Sequence, residues 1–266
     1  MDEKIQEILN QLEMDETFNE EISLNTLISN KNSREIVQIY IDQFYNDQLA
    51  GKNPTIKPIL LVGTKGSGVH VFARAISNSF GNINFHSITS CWINDNVLSC
   101  HSFLYEGTEH SSFYICYADK LNSFCQKQLY QILIEKKISY YDFELKCWSK
   151  KNFSNKLIIL STEKTDNLAS LLLDQFPIKI NLVKLTVEEV ALALNQRIVL
   201  LNWQISSIEL LGQIAQSCGE IGQAMQVLAM SYRIMRAGNF DTITEGHINK
   251  ALHLLDKNMK AAASQK

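Results

Sequence analysis

At 266 residues the chain suits one large or two small domains, and with 45% hydrophobic residues it can bury a core. A net charge of −3 argues against a large nucleic-acid footprint, though it leaves room for a local basic patch. No apolar run reaches the length of a membrane span and the N-terminus is acidic (Asp2, Glu3, Glu7, Glu13), so a cytoplasmic protein is expected. Cys91, Cys100, Cys116, Cys125, Cys147 and Cys218 show no C-x-x-C and no zinc-like pairing with His101 or His110. Reduced thiols and no metal site are expected.

Residues 1–20 carry Ile5, Ile8, Leu9 and Leu12 at helical spacing, a stripe too short to hold without docking. They read as a flexible leader or a partner-binding helix. Leu24, Leu27 and Ile28, then Ile36, Val37, Tyr40, Ile41 and Phe44, predict an amphipathic helix from about Ser33, with a polar linker from Asn46 to Pro58. Ile59–Val62, Ile83–Ile88, Ser112–Tyr117 and Leu157–Thr162 are short apolar or β-rich runs separated by helical or mixed segments. Buried parallel strands have this pattern, so the core is expected to be α/β, with Ile178–Leu182 as a last strand.

Ahead of the Leu157 strand, Ser123–Lys136 reads as a helix. Ile138–Trp148 reads as an inserted β-hairpin, closed by a polar turn over Ser149–Asn155. From Thr186 the pattern is helical throughout. Thr186-Val187-Glu188-Glu189 is a capping-box start, Leu192–Trp203, Ile208–Cys218 and Gln223–Ala237 follow, and Ile243–Ile248 opens a short final helix ending near Lys257. The expected division is a leader over 1–20, an α/β core over 21–183, a four-helix lid over 184–258 and a structureless tail over 259–266. Trp92 and Trp203 are expected in the core.

The chemistry concentrates in residues 58–76. An apolar run, glycines at 63, 66 and 68, then a helical pattern make the strand, loop and helix of a phosphate-binding P-loop. In G-x-x-x-x-G-K-[ST] the lysine reaches the terminal phosphates and the hydroxyl ligates magnesium. Val69 and His70 hold those places here, and neither does that work.

From about Leu24 to Leu255 several linked segments resemble the RuvB-like branch of the AAA+ proteins, the Holliday-junction branch-migration motors. Leu24–Asn30 sits where that family has its adenine-side loop, and Phe113–Asn122 is similar to its Walker B run. Leu157–Phe176 is similar to its sensor 1 strand and arginine-bearing segment, and Gly219–Ala224 to the lid segment that carries sensor 2. The resemblance implies an AAA+ P-loop core with a parallel sheet and inserted β-hairpin, followed by a four-helix lid. It also places Cys116 where the Walker B Asp would hold metal and Tyr117 where the Glu would activate water. Leu173 and Gln175 stand at the arginine positions that reach a neighbouring subunit, Gly222 at the sensor 2 arginine, and Thr162 alone remains as a sensor 1 polar group.

Phosphoryl transfer rests on positioning and charge neutralisation, so loss of these groups together predicts loss of ATPase activity. Gly63, Gly66 and Gly68 are read as keeping a tight strand-to-helix turn. Lys65 is the one cation inside the loop, and weak ATP or ADP binding stays open through it and the Gly63–Gly68 loop as a whole (Gly63, Gly66, Ser67, Gly68). His70 reads as solvated or hydrogen-bonded, pairing with phosphate only at low pH. On the hairpin, Tyr140, Tyr141, Phe143 and Trp148 suit a protein contact, or half of them face the core. The family's DNA-contacting winged helix has no counterpart before Lys266, so direct DNA binding is not expected. These points predict an inactive structural or regulatory subunit, in a hetero- or homo-oligomer of AAA+ or DNA-processing proteins. The alternatives are a clamp-loader-like inactive subunit and an ATP-binding helicase or recombination subunit whose catalysis a partner completes.

Overall fold

The computed structural model describes residues 22–81, 84–95, 104, 111–142, 146–153 and 156–263. The leader over 1–20, Ile83, Cys100, His101, His110, Phe143 and 264–266 lie outside them, as do the side chains of Trp92 and Tyr140. The described residues fall into two compact units. One is an α/β unit over 22–65 and 69–183, and the other a helical unit over 184–263 that also takes in Gly66–Gly68.

The α/β unit is built on five parallel strands: β1 (Ile59–Gly63), β2 (Asn84–Thr89), β3 (Ser111–Cys116), β6 (Leu157–Thr162) and β7 (Ile178–Leu182), in the order β2-β3-β6-β1-β7. Every residue of β6 and the first five of β3 are buried, as continuous apolar strands covered on both faces should be. Alternation along the strands divides the core in two. Leu60, Phe113, Ile115, Ile158 and Leu160 point to one face, where Cys125, Leu129, Ile132 and Leu133 of α4 (Ser123–Glu135) cover them. Ile59, Leu61, Tyr114, Leu157, Ile159 and Ile180 point to the other. That face is covered by Val37, Ile41 and Phe44 of α1 (Lys31–Leu49) and Phe72, Ala73 and Ile76 of α2 (Val69–Ser79). Two short helices had no clear sequence signal, α3 (Ser90–Asp95) and α5 (Ser170–Leu173).

A buried polar side chain joins two loops at the end of the sheet. Gln126 Nε2 donates to Leu121 O at 2.9 Å and Asn167 O at 3.0 Å, and the Ala169 N–H donates to Gln126 Oε1 at 2.7 Å. The turn after β3 is thereby tied to the loop after β6.

The inserted hairpin pairs β4 (Lys137–Asp142) with β5 (Cys147–Asn152) as a separate two-stranded sheet, with Tyr141 opposite Trp148 and Lys137 opposite Asn152. It is longer than the Ile138–Trp148 expectation. Ser149–Asn152, expected in a polar turn, continue the strand because the ladder supplies backbone partners that their side chains do not advertise.

The helical unit comprises α6 (Val187–Leu200), α7 (Glu209–Cys218), α8 (Ile221–Ala237) and α9 (Glu245–Ala263). The capping box is formed: the Glu189 N–H donates to Thr186 Oγ1 at 3.2 Å, and the Thr186 N–H donates to Glu189 Oε2 at 2.9 Å. Leu194, Leu211, Ile214, Ala224, Leu228, Ile248 and Ala251 make the core of this unit. Among the described residues no helix is long and apolar enough to cross a membrane.

Several expected boundaries shift. α1 begins at Lys31 and runs to Leu49, so the linker starts later, after Gly51 ends the helix at φ +74°. β2 extends to Thr89. α9 runs to Ala263, not Lys257, because the Lys-Ala-Ala-Ala stretch is a strong helix former. Trp203 is half-buried, not enclosed, and stacks on Tyr232 with centroids 4.0 Å apart.

Candidate functional site

The sheet brings the C-terminal ends of β1, β3 and β6 side by side, where ligands of open α/β sheets bind. Val62 pairs with Thr162, and β3 closes the row through β6. β1 runs directly into the loop Gly63–Gly68. Gly66 at φ +88° and Gly68 at φ +74° adopt a backbone that side-chain-bearing residues rarely take. The Ser67 hydroxyl is buried and lacks a hydrogen-bond partner, while Lys65 is exposed.

Val69 and His70 open α2. Val69 is an apolar side chain packed against the second core cluster, so no cation issues from that place. His70 lies edge-on to two rings, 5.3 Å from Tyr114 and 5.8 Å from Phe85 between centroids. Those two rings stack on each other 5.8 Å apart, and the Arg74 guanidinium lies 4.6 Å from the Phe85 centroid. One side of the imidazole stays open to solvent. The surrounding rings desolvate the rest, and with the Arg74 charge they hold the His70 pKa below the ordinary imidazole value. The ring is therefore neutral at pH 7. His70 is exposed, as the expectation of a solvated histidine had it, but it is not alone, since Phe85 and Tyr114 come from β2 and β3 and only folding gathers them.

Across the sheet, the Tyr114 hydroxyl shares a 2.8 Å hydrogen bond with Ser161 Oγ, and burial raises the phenol pKa. Cys116, in the Walker B metal place, is half-buried and donates its thiol to Ile88 O at 3.3 Å. Burial pushes that thiol pKa up, which keeps it protonated and a poor metal ligand. Tyr117 sits in the left-handed region at φ +56°, and Lys120 Nζ lies 4.6 Å from its ring centroid. Thr162 Oγ1 donates to Lys164 O at 2.6 Å, so its proton is directed into its own loop. Asp119, which the sequence reading passed over, has a buried carboxylate oxygen without a hydrogen-bond partner. Among the described residues no three His, Cys, Asp or Glu side chains gather as a metal-binding group. A neutral imidazole, a protonated thiol and a valine do not fit a magnesium nucleotide.

The remaining expected positions lie on separate elements. Leu173 ends α5 half-buried against the core, and Gln175 Nε2 donates to Leu171 O at 3.4 Å. In the helical unit, Gly222 lies in the first turn of α8, and a Cβ there would meet nothing within 4 Å. On the hairpin, Tyr141 and Trp148 meet as a T-shaped pair 5.8 Å apart.

No family model and no curated protein matches the chain. Solved structures do. Thermotoga maritima RuvB, described as a Holliday junction branch migration motor, superposes with a TM-score of 0.62 at 18% identity, over 90% of this chain and 73% of that one. Two variants of the same protein give TM-scores of 0.65 and 0.66 at 18% and 19% identity. At such identity the likeness establishes the fold: the α/β unit with its five-stranded parallel sheet is that of the RuvB AAA+ core.

Proposed function

We propose that this chain, on a RuvB-like AAA+ fold, is a catalytically inactive structural or regulatory subunit of an oligomeric, DNA-processing assembly in the cytoplasm. The observation that carries the reading is the filling of the phosphate and metal places by groups that support one another. His70 lies among Phe85 and Tyr114, while Cys116 hydrogen-bonds the neighbouring strand. Phosphoryl transfer needs cations and a bound metal where charge develops, and an arginine finger alone contributes about 10³–10⁵ in rate. Leu173, Gln175 and Gly222 supply none of that charge. The test is steady-state ATP hydrolysis by the purified chain with and without DNA. Turnover is expected to stay at background, and turnover at motor-like rates, on the order of 1 s⁻¹ or above, overturns the reading.

A second reading keeps nucleotide binding without hydrolysis, and the buried, unpartnered Ser67 hydroxyl in the glycine loop favours it. Backbone N–H groups at a helix start hold an anion only weakly without the loop lysine. Calorimetry with ATP and ADP at millimolar concentration separates the two, since absence of heat removes the second reading.

A further inference from the structure

At the opposite end of the sheet from the glycine loop, where β1 and β6 begin, the α/β unit holds a half-open cavity of about 50 Å³. Ile56, Pro58, Leu133, Phe153 and Ile158 make its apolar walls, and Lys136 and Lys156 enter between them. The frame is fixed by the backbone. The Lys136 N–H donates to Ile132 O at 2.9 Å, which ends α4 with Lys136 at φ +53°. The Phe153 N–H donates to Lys136 O at 2.7 Å, tying the end of the helix to the end of the hairpin. The cavity is therefore preformed, as ligand sites usually are.

Two amines on apolar walls call for an anion. Lys156 Nζ lies 5.3 Å from the Phe113 ring centroid and 5.6 Å from that of Phe153, and both rings are buried, so its charge stands at the wall. Lys136 is exposed as a residue, but the groups around its amine desolvate it and lower its pKa, and among the described residues it joins no ion pair. No acidic side chain lines the cavity among the described residues, and Glu135, next to Lys136 in the chain, is engaged 2.9 Å from Lys150. Lysine stems often cover apolar surface while their heads stay in water. Here the head of Lys136 is the desolvated part, and a group of opposite charge relieves it.

The size of the cavity selects the anion. An apolar cavity of about 150 Å³ holds a benzene ring, so about 50 Å³ encloses two or three carbon atoms. Phosphate and sulfate have no apolar part for these walls, whereas a carboxylate on a short alkyl chain has one.

We propose that this cavity binds a small aliphatic monocarboxylate, its carboxylate pairing with Lys136 at the mouth in the field of Lys156 and its alkyl chain lying against Ile56, Pro58, Leu133 and Ile158. The site goes beyond the proposed function and stands whether or not the glycine loop binds nucleotide.

The experiment is a two-dimensional amide NMR titration of the full chain at pH 7 and about 150 mM chloride, with acetate, propionate, butyrate and octanoate, and with butylamine as the cationic counterpart. Butyrate is expected to shift the amide signals of Ile56, Lys136 and Phe153 and to saturate with a Kd on the order of 1 mM. Affinity rises about threefold per carbon from acetate to butyrate and levels off before octanoate, because the cavity is then full. Lys136→Met weakens binding by about fivefold or more. Thr55→Phe, which sets a ring over the mouth from an exposed rim position, abolishes binding with Lys136 in place, and Lys137→Met stays within about twofold of the parent. Unchanged signals away from the cavity check that each variant keeps its fold. Four results overturn the proposal: no saturable shift up to about 20 mM butyrate, butylamine bound as tightly, acetate bound as tightly as butyrate, or Lys136→Met within about twofold of the parent. A glutamate-bearing peptide that binds where butyrate does not assigns the cavity to a partner's side chain and also overturns it.

Discussion

Replacing Gln126 by alanine removes the clamp between the turn after β3 and the loop after β6, the two segments that carry Cys116–Tyr117 and Thr162. The side chain is 7% exposed and makes three hydrogen bonds of 2.7–3.0 Å, so its loss leaves two carbonyls and one N–H in a space that few waters can enter. Each orphaned partner costs about 1–3 kcal/mol, and water entering the vacated volume recovers part, giving an expected loss of about 2–4 kcal/mol. With an m value near 2 kcal/mol per molar urea, the α/β transition moves down by about 1–2 M. Gln126→Glu sharpens the test. At pH 7 its carboxylate still accepts from Ala169 but sets negative charge against the Leu121 and Asn167 carbonyl oxygens, so it falls below the alanine variant. Protonation restores a donor, and because the folded state then binds the proton more tightly, the deficit shrinks as pH is lowered toward about 4. Urea unfolding followed by near-ultraviolet circular dichroism reads both. A loss under about 0.5 kcal/mol for alanine, or a glutamate variant no worse than alanine, refutes the clamp.

Two further outcomes follow from the site itself. The His70 pKa lies below its ordinary 6.5, so the unfolded chain takes up the proton first and stability falls as pH drops below 6.5 toward the folded value. His70→Phe, which keeps a ring between Phe85 and Tyr114, should show a shallower decline in urea midpoint from about pH 7.5 to about 5.5; parallel curves refute the assignment. Gly68→Ala forces a side chain into φ +74° and should cost about 1–2 kcal/mol, whereas Gly222→Ala adds a methyl to an open helical position and should gain up to about 1 kcal/mol. Thermal melts of the two variants shifting in the same direction contradict that reading.

The sequence alone determined the elements whose signal is local. Ile59–Val62 and Leu157–Thr162 are short apolar runs of the kind buried strands have, Ile178–Leu182 alternates apolar with polar residues as a half-buried strand does, and Thr186–Glu189 writes its own helix cap. The glycine spacing with Val69 and His70 after it marked both the turn and the missing cation, because that motif is contiguous. Only the tertiary structure decided what surrounds those residues. Phe85 and Tyr114 reach His70 from β2 and β3, Gln126 ties Leu121 to Asn167 and Ala169, 41 and 43 residues further on, and the β4–β5 register brings Tyr141 against Trp148. Such contacts depend on strand order and register, which no local spacing encodes. Sequence thus identified which groups the loop lacks, and packing across the sheet determined what occupies their place.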